Sequence, residues 1–489
     1  MKISPKYIIF FLLGLAFLLR IYKVNSPIIG MASWRQADAA AISRNYFEND
    51  YRFLYPQVDW GGSSAGFVET EFPLYSFAVA LLYKIFGVSE SYGRLLSIIF
   101  SLITLYFLYL LVLKLIDRKT ALWSCFFFAI LPPAVFFSRT FQPESLLLMS
   151  LVLGIYLFFQ WTETNKLGYV IISSVFISLA CLIKPPSLCI GLPLLYLAWQ
   201  KFGKKVLTKG SFWLYGLLVL FPVGMWYFHA HNIFLKHGLT FGIWGYGTDK
   251  WGNWDLVFSL KFWNRILFMN IAEDYLTWPG FVIFIIGLLL KRKNHKEKFF
   301  DIWLIALFVY FVIVAGGNYY HLYYQLPFLF PATVYMGKVF ARYFKPRALY
   351  EKRSLFLSIG LVGILILSAG RYHIYMSKEN VKTSDTVRLA RAVNKIIEKE
   401  ALIIAVDRND PTLLYHAHRK GWHSFPEQLD DIFLAPKIQK GAKYIIGHYR
   451  DFKNELEKEK LNDLRENFKM IYDDGTSFIF STIAYIEKQ

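Results

Sequence analysis

Apolar runs approaching the length of a bilayer recur along most of this chain, and no other feature restricts its fold as strongly. A membrane-spanning helix needs roughly 20 mostly apolar residues. Segments near 6–24, 94–114, 120–137, 145–161, 168–183, 187–200, 211–230, 278–290, 300–315, 322–340 and 354–371 reach or approach that length. Only 18% of the residues are charged, against roughly 25% in soluble domains. The chain therefore reads as a polytopic α-helical membrane protein of about eleven spans. The alternating strands of about ten residues that a β-barrel requires are absent.

Pro73–Gly87 is apolar but short, carries Lys84 and follows a proline suited to a helix start. Charge decides how to count it. With Lys2 and Lys6 inside, the spans named above place four basic clusters in the cytoplasm: Lys114–Arg118–Lys119, Lys201–Lys204–Lys205–Lys209, Lys291–Arg292–Lys293–Lys296–Lys298 and Arg342–Lys345–Arg347–Lys352–Arg353. That is the positive-inside distribution. Counting Pro73–Gly87 as a span would move all four outside, so it reads as a juxtamembrane or re-entrant helix. The net charge of +19 then reflects contact with anionic lipid rather than nucleic acid. Cys125, Cys181 and Cys189 have no metal-site spacing and read as small buried apolar residues. Ile8–Leu19 is followed by Arg20 and Lys23 and not by a small-residue cleavage site, so the first helix reads as a retained anchor.

The same topology puts residues 25–93, the turns at Arg139–Glu144 and Lys184–Pro186, the loop His231–Trp278, the Gly316–His321 corner and everything after Tyr372 on the outer side. Met31–Tyr75 is too long for a simple turn and too rich in rings to be disordered. It reads as half of an active site on a membrane surface. Beyond Tyr372 the composition is that of a soluble domain. Helices are expected at 385–399, from Asp410 or Thr412 to His418, and at 454–467; strands are expected at Leu402–Val406, Tyr444–Gly447, 468–473 and 477–485. No nucleotide-binding glycine motif and no internal repeat is visible. Two domains are expected: 1–371, carrying the first outer loop 25–93, and an α/β domain over 372–489.

Asp38 lies in WRQADAAAISR, where helical spacing brings Arg35, Asp38 and Ile42 to one face. It fits a general base or a carboxylate that caps the helix or pairs with arginine. Glu69 and Glu71 alternate before Pro73, a spacing compatible with a shared metal or with sugar hydroxyls. Glu144 opens a helix after Pro143, where an acid complements the helix dipole. Arg139 and Lys184 fit either snorkelling anchors or a phosphate clamp. In GGNYYHLYYQLPFLFP, Tyr323 and Tyr324 fit an interfacial ring belt, and His321 can donate to a phosphate oxygen. FGIWGYGTDKWGNWD (Phe241–Asp255) fits an interfacial anchor or a flap over substrate.

In order and spacing, WRQADAAAISRNYFE, ETEFPLYSFAVALLYKIFG with GRLLSIIFSL, SRTFQPESLLL and YYHLYYQLPFLFP resemble the GT-C superfamily of membrane glycosyltransferases. The nearest branch is the bacterial one related to protein O-mannosyltransferases and the lipid A aminoarabinose transferase. The resemblance spans essentially the whole chain. It implies inverting transfer of a sugar from a polyprenyl-phosphate donor to a glycolipid, glycan or protein acceptor, on the outer face of a bacterial cytoplasmic membrane, with juxtamembrane helices in the first outer loop. Asp38, Glu71 and Glu144 are expected as catalytic carboxylates, and Arg35, Arg139, Lys184, His321 and Tyr324 at the donor phosphate; of these, Glu144 and the His321–Tyr324 corner match the family's own positions. Trp34, Glu69, Tyr75 and Tyr323 complete the set as substrate-binding groups. The family's first-loop Asp-Glu falls on Arg35–Gln36 when Ile42–Arg44 are aligned, with Asp38 one turn later. Its Lys-Pro-Pro falls on Glu71–Phe72–Pro73, so the phosphate's cation passes to Arg35, Arg139 or Lys184. No cofactor is expected; a divalent metal is compatible with three nearby carboxylates but is not predicted. Two other readings stand beside this one: a lipid-linked sugar flippase or transporter, which places charges along a cavity within its spans, and an inactive relative that binds lipid-linked sugars. Charges at the outer edge, the lack of a repeat and the soluble domain favour the transferase.

Overall fold

The computed structural model describes residues 5–242, 250–345 and 350–483. Part of the Phe241–Asp255 segment, Lys2, Arg347 and the end of the strand expected at 477–485 lie outside the described residues. The chain forms two compact units. One contains residues 1–24, 94–229 and 242–375; the other contains 25–93, 230–241 and 376–489. The linear division at 371 is therefore not how the chain groups. The first outer loop packs with the C-terminal residues, and so does the end of the Gly210–His237 helix.

The first unit is a membrane bundle. Among the described residues, Glu90–Leu115, Glu144–Thr164, Gly210–His237 and Lys352–Ser377 are long and apolar enough to cross a bilayer. Two further candidates are bent pairs. Arg118–Ile130 and Pro132–Arg139 meet at 71°, and Leu260–Tyr275 and Trp278–Leu289 meet at 111°. The first bend has a simple cause: Pro132 and Pro133 remove the amide donors that would continue the helix. Helix pairs approach closely at glycines. A Cβ on Gly287 would lie 2.4 Å from the Tyr335 carbonyl oxygen, and one on Gly337 would lie 2.6 Å from Ser124 Oγ. Such small-residue contacts are the usual means of packing helices in lipid, where no hydrophobic force drives them together.

The connections of this bundle gather in two groups. Lys293 Nζ lies 2.6 Å from Asp117 and Lys296 Nζ 3.1 Å from Glu163, and Tyr196 donates to the His295 carbonyl at 2.9 Å. Turns expected on the cytoplasmic side thus meet one another. The turns expected on the outer side meet as well: Arg139 donates to the Lys23 carbonyl at 2.8 Å, and Lys184 approaches Glu144 at 3.1 Å.

The second unit is built on a five-stranded mixed sheet in the order β2-β1-β3-β5-β4, with β1 Leu402–Val406, β2 Gly421–Ser424, β3 Ala442–His448, β4 Lys469–Asp473 and β5 Ser477–Ser481. β1 pairs in parallel with β2 and β3, and β5 runs antiparallel to β3 and β4. Alternation along the strands makes two cores. Ile404, Val406, Ile445, Phe478 and Phe480 pack with Leu434, Ile438, Leu461 and Leu464; Ile403, Ala405, Ile446 and Ile479 pack with Leu389, Val393 and Leu414. Helices therefore cover both faces. The outer edge of β2 is covered by the first loop, since Gly421 N donates to the Asp59 carbonyl at 3.0 Å and Gly62 N donates to the Gly421 carbonyl at 2.7 Å. Covering an edge in this way removes a pairing template. Leu74–Phe86 also belongs to this unit. Its 13 residues span about 20 Å at 1.5 Å per residue, short of a bilayer core of about 30 Å.

Candidate active-site groups

In the outer unit the groups converge on Ser33–Glu48, a helix buried along nearly its whole length despite its charges. Its face presents Arg35 and Asp38, as the spacing predicts. Arg35 forms an ion pair with Glu71, and the Thr70 hydroxyl donates to the other Glu71 oxygen at 3.0 Å. Burial opposes charge on Glu71, but the Arg35 guanidinium and these hydrogen bonds outweigh it and hold the carboxyl below its usual range. Asp38 is 6% exposed and accepts a hydrogen bond from the Trp60 indole at 3.0 Å. Burial pushes its pKa up to about 7, against the opposing pull of Trp60, Arg35 and His423. Two carboxyls that share Arg35 as a neighbouring charge are thus set apart, one held ionised and one poised near neutrality.

Glu69, expected beside Glu71, takes other partners. It is 1% exposed, accepts from the Thr240 hydroxyl and lies 3.5 Å from His231 Nδ1. Backbone pairing with residues 239–241 fixes it there, because Glu69 N donates to the Leu239 carbonyl and Phe241 N to the Glu69 carbonyl, each at 2.9 Å. Tyr75 is buried and its hydroxyl donates to the Gly93 carbonyl at 2.8 Å. Trp34 is half-buried. The outer unit also brings in residues the sequence reading missed: Trp60, His231, Thr240, Asp407 and His423. His423 lies on β2, a short strand with little apolar alternation, so no local pattern marks it. A polar cavity of about 310 Å³ is lined by Ser33, Lys378, Asp407, Asp410 and Arg450, among others.

In the membrane unit, Pro185 and Pro186 end the Leu167–Ile183 helix and leave Lys184 extended. Its ammonium then lies 3.1 Å from the fully buried Glu144, at the start of Glu144–Thr164. It also sits over two rings, 4.5 Å from the centroid of Tyr323 and 4.3 Å from that of Tyr324, a favourable cation–π placement. His321 stacks 5.5 Å from each of these rings. Gly317 permits the arrangement, because a Cβ there would lie 2.7 Å from Tyr324 Cε1. Lys184, Glu144, His321, Tyr323 and Tyr324 are therefore one cluster. Arg139 is fully buried and directs its guanidinium to the Lys23 carbonyl. A narrow crevice beside the cluster is lined by Lys184 and Tyr324 together with Leu147, Leu151, Trp303 and Leu307.

Comparison with known proteins gives the architecture a family context. Residues 70–228 match the profile of the dolichyl-phosphate-mannose-protein mannosyltransferase family. An uncharacterized protein of Aquifex aeolicus is 25% identical over 337 residues, covering 67% of this chain and 70% of its own length. Among solved structures, ArnT from Cupriavidus metallidurans bound to undecaprenyl phosphate superposes with a TM-score of 0.67 at 12% identity, covering 98% of both chains. The Archaeoglobus fulgidus oligosaccharyltransferase superposes with a TM-score of 0.60 at 13% identity, covering 98% of this chain and 74% of its own. The chain is thus a multi-pass membrane protein that shares its fold, a helical bundle with a C-terminal sheet domain, with these two solved structures.

Proposed function

We propose that this protein transfers a sugar from a polyprenyl-phosphate donor to an acceptor on the outer face of the bacterial cytoplasmic membrane, with inversion and with Asp38 as general base. The observation that carries this reading is the buried Asp38 carboxyl, whose pKa near 7 suits a base working at neutral pH. The acceptor hydroxyl or amine gives its proton to Asp38 as its lone pair bonds to the anomeric carbon. The bond from that carbon to the phosphate oxygen breaks from the opposite side, and polyprenyl phosphate leaves.

The leaving phosphate needs cations and donors. Lys184 supplies the charge in this reading, with His321 and Tyr324 as donors, and the apolar crevice receives the first part of the lipid. Glu144 fixes Lys184; Tyr323 is a further ring under its ammonium. In this reading Arg35, held by Glu71, belongs with Arg139 to the donor-phosphate groups, and Trp34, Glu69 and Tyr75 belong to the substrate-binding groups. The ArnT structure contains undecaprenyl phosphate, which supports a lipid phosphate as the donor's carrier. A glycolipid, glycan or protein each suits the acceptor side, where the cavity lining is polar.

The test is sugar release by purified protein from a panel of polyprenyl-phosphate sugars, beside Asp38→Asn. Turnover is expected to fall by several orders of magnitude in the variant while donor binding persists. Full activity in the variant would remove Asp38 from the role of base. Tight donor binding without turnover by the native protein would favour a flippase or an inactive lipid-sugar-binding relative.

A further inference from the structure

Asp38 has a neighbour that the reaction above does not use. His423 Nδ1 donates to Asp407 Oδ2 at 2.7 Å, and both side chains are largely buried. The other ring nitrogen, Nε2, is buried and has no hydrogen-bond partner among the described residues. The imidazole lies 6.1 Å from the Trp60 ring, the same indole whose N–H donates to Asp38.

This arrangement is rigidly framed. The two backbone hydrogen bonds between β2 and the first loop flank Trp60 on either side. Gly62 adopts φ +63°, and a Cβ there would lie 2.2 Å from the Trp422 indole nitrogen. Arg44 pairs with Asp59 and donates to the Tyr415 carbonyl at 2.9 Å, tying the loop to the C-terminal residues a second time.

The charges around Asp38 are Arg35, His423 and Asp410; those around His423 are Asp407, Asp38 and Asp410. Arg35 is already matched by Glu71. A buried base that must be ionised near neutral pH therefore needs another cation. Burial works against charge on His423, but Asp407 outweighs it and raises the imidazole pKa. Burial lifts Asp407 to about 6, and the Asp407 carboxylate favours the protonated form of the imidazole it holds.

We propose that Asp407 and His423 act as the electrostatic partner of Asp38: Asp407 holds the His423 imidazole beside the Trp60 ring that bonds to Asp38, and the charged form of that imidazole favours the proton-accepting form of the base. His423 is a positioning residue in this scheme, and its meaning for catalysis rests on the reading of Asp38 as base. The C-terminal domain is then part of the reaction machinery as well as a surface for acceptors.

The test reads Asp38 directly. Dicyclohexylcarbodiimide labels protonated carboxyls, and mass spectrometry of the peptide containing Asp38 follows the labelling from about pH 5 to about pH 9. In His423→Gln the labelling midpoint is expected to rise by about one pH unit or more, because an opposite charge has been removed. Asp407→Asn is expected to move it in the same direction, by letting His423 become neutral. An unchanged midpoint in both variants would overturn the proposal. So would a lower midpoint in either variant, since removal of a neighbouring cation cannot favour the carboxylate. The measurement uses no sugar donor. Shifted midpoints in a protein that transfers no sugar would leave the electrostatic pairing intact and remove only the transferase reading.

Discussion

Asp38 concentrates what one residue can reveal here. Its pKa rises from an ordinary 3.8 to about 7 on folding, so the folded state binds the proton more tightly than the unfolded chain. Stability from this group is fully present below about pH 4 and is lost as pH rises through 7. Two outcomes follow at this scale. Turnover is expected to climb with pH through about 7, as the base ionises, in a pH–rate profile. Asp38→Asn is expected to unfold at a higher temperature than the native protein well above pH 7, and at the same temperature near pH 4, by calorimetry in detergent. Above neutral pH this carboxylate is thus held at a cost to stability. Lys184 makes a second case. Lys184→Met strands the buried Glu144 and is expected to cost about 3 kcal/mol while abolishing retention of undecaprenyl phosphate. Adding Glu144→Gln is expected to restore the unfolding temperature but not the binding. Recovery of both would mean that Lys184 serves only its ion pair.

Among the elements, β2 is the one on which most depends. It supplies His423, it is an edge strand, and its first residue bonds to the loop carrying Trp60. A Cβ on Gly421 would lie 1.8 Å from the Ile403 carbonyl oxygen, a backbone clash that no rotamer relieves. Gly421→Ala is expected to destabilise the outer unit by about 1–3 kcal/mol and to expose Trp60 to proteolysis of the first loop. Gly168→Ala, where the added methyl meets open space, is the control and is expected to be neutral. Equal behaviour of the two variants would show that the β1–β2 contact tolerates separation. The Ser33–Glu48 helix teaches the opposite lesson about composition. Its sequence mixes charged residues with small ones, and packing buries Arg35, Asp38 and Arg44. Charges at such depth need partners, and Glu71 and Asp59 are those partners for the two arginines.

For the whole molecule, orientation is the main consequence of charge. Two basic connections, at Asp117–Lys119 and Lys291–Lys298, meet each other and the turn near Glu163, and the Glu144–Lys184 cluster lies among the other turns. A phosphatase fused after the C-terminal domain is expected to be active outside the cytoplasm. A fusion in the Lys201–Lys209 connection is expected to be silent. The reverse pattern would invert the topology and place Asp38 in the cytoplasm.

Hydropathy, charge and local periodicity were enough to read the membrane bundle, the short Leu74–Phe86 helix, four of the five strands and the Arg35–Asp38 face. Each of these depends on residues close in sequence: twenty apolar residues make a span whatever lies elsewhere, and alternate apolar residues make a strand. The partners of those residues are a different matter. Glu71 goes to Arg35 while Glu69, two residues away, goes to Thr240 and His231, because residues 239–241 pair with one and not the other. Trp60 meets both Asp38 and His423 only because the first loop extends the edge of β2. Lys184 meets Glu144 and two tyrosines across three segments of the bundle. Such contacts join residues far apart in the chain, and no spacing rule encodes them. They exist once the backbone has closed, and tertiary packing alone selects them.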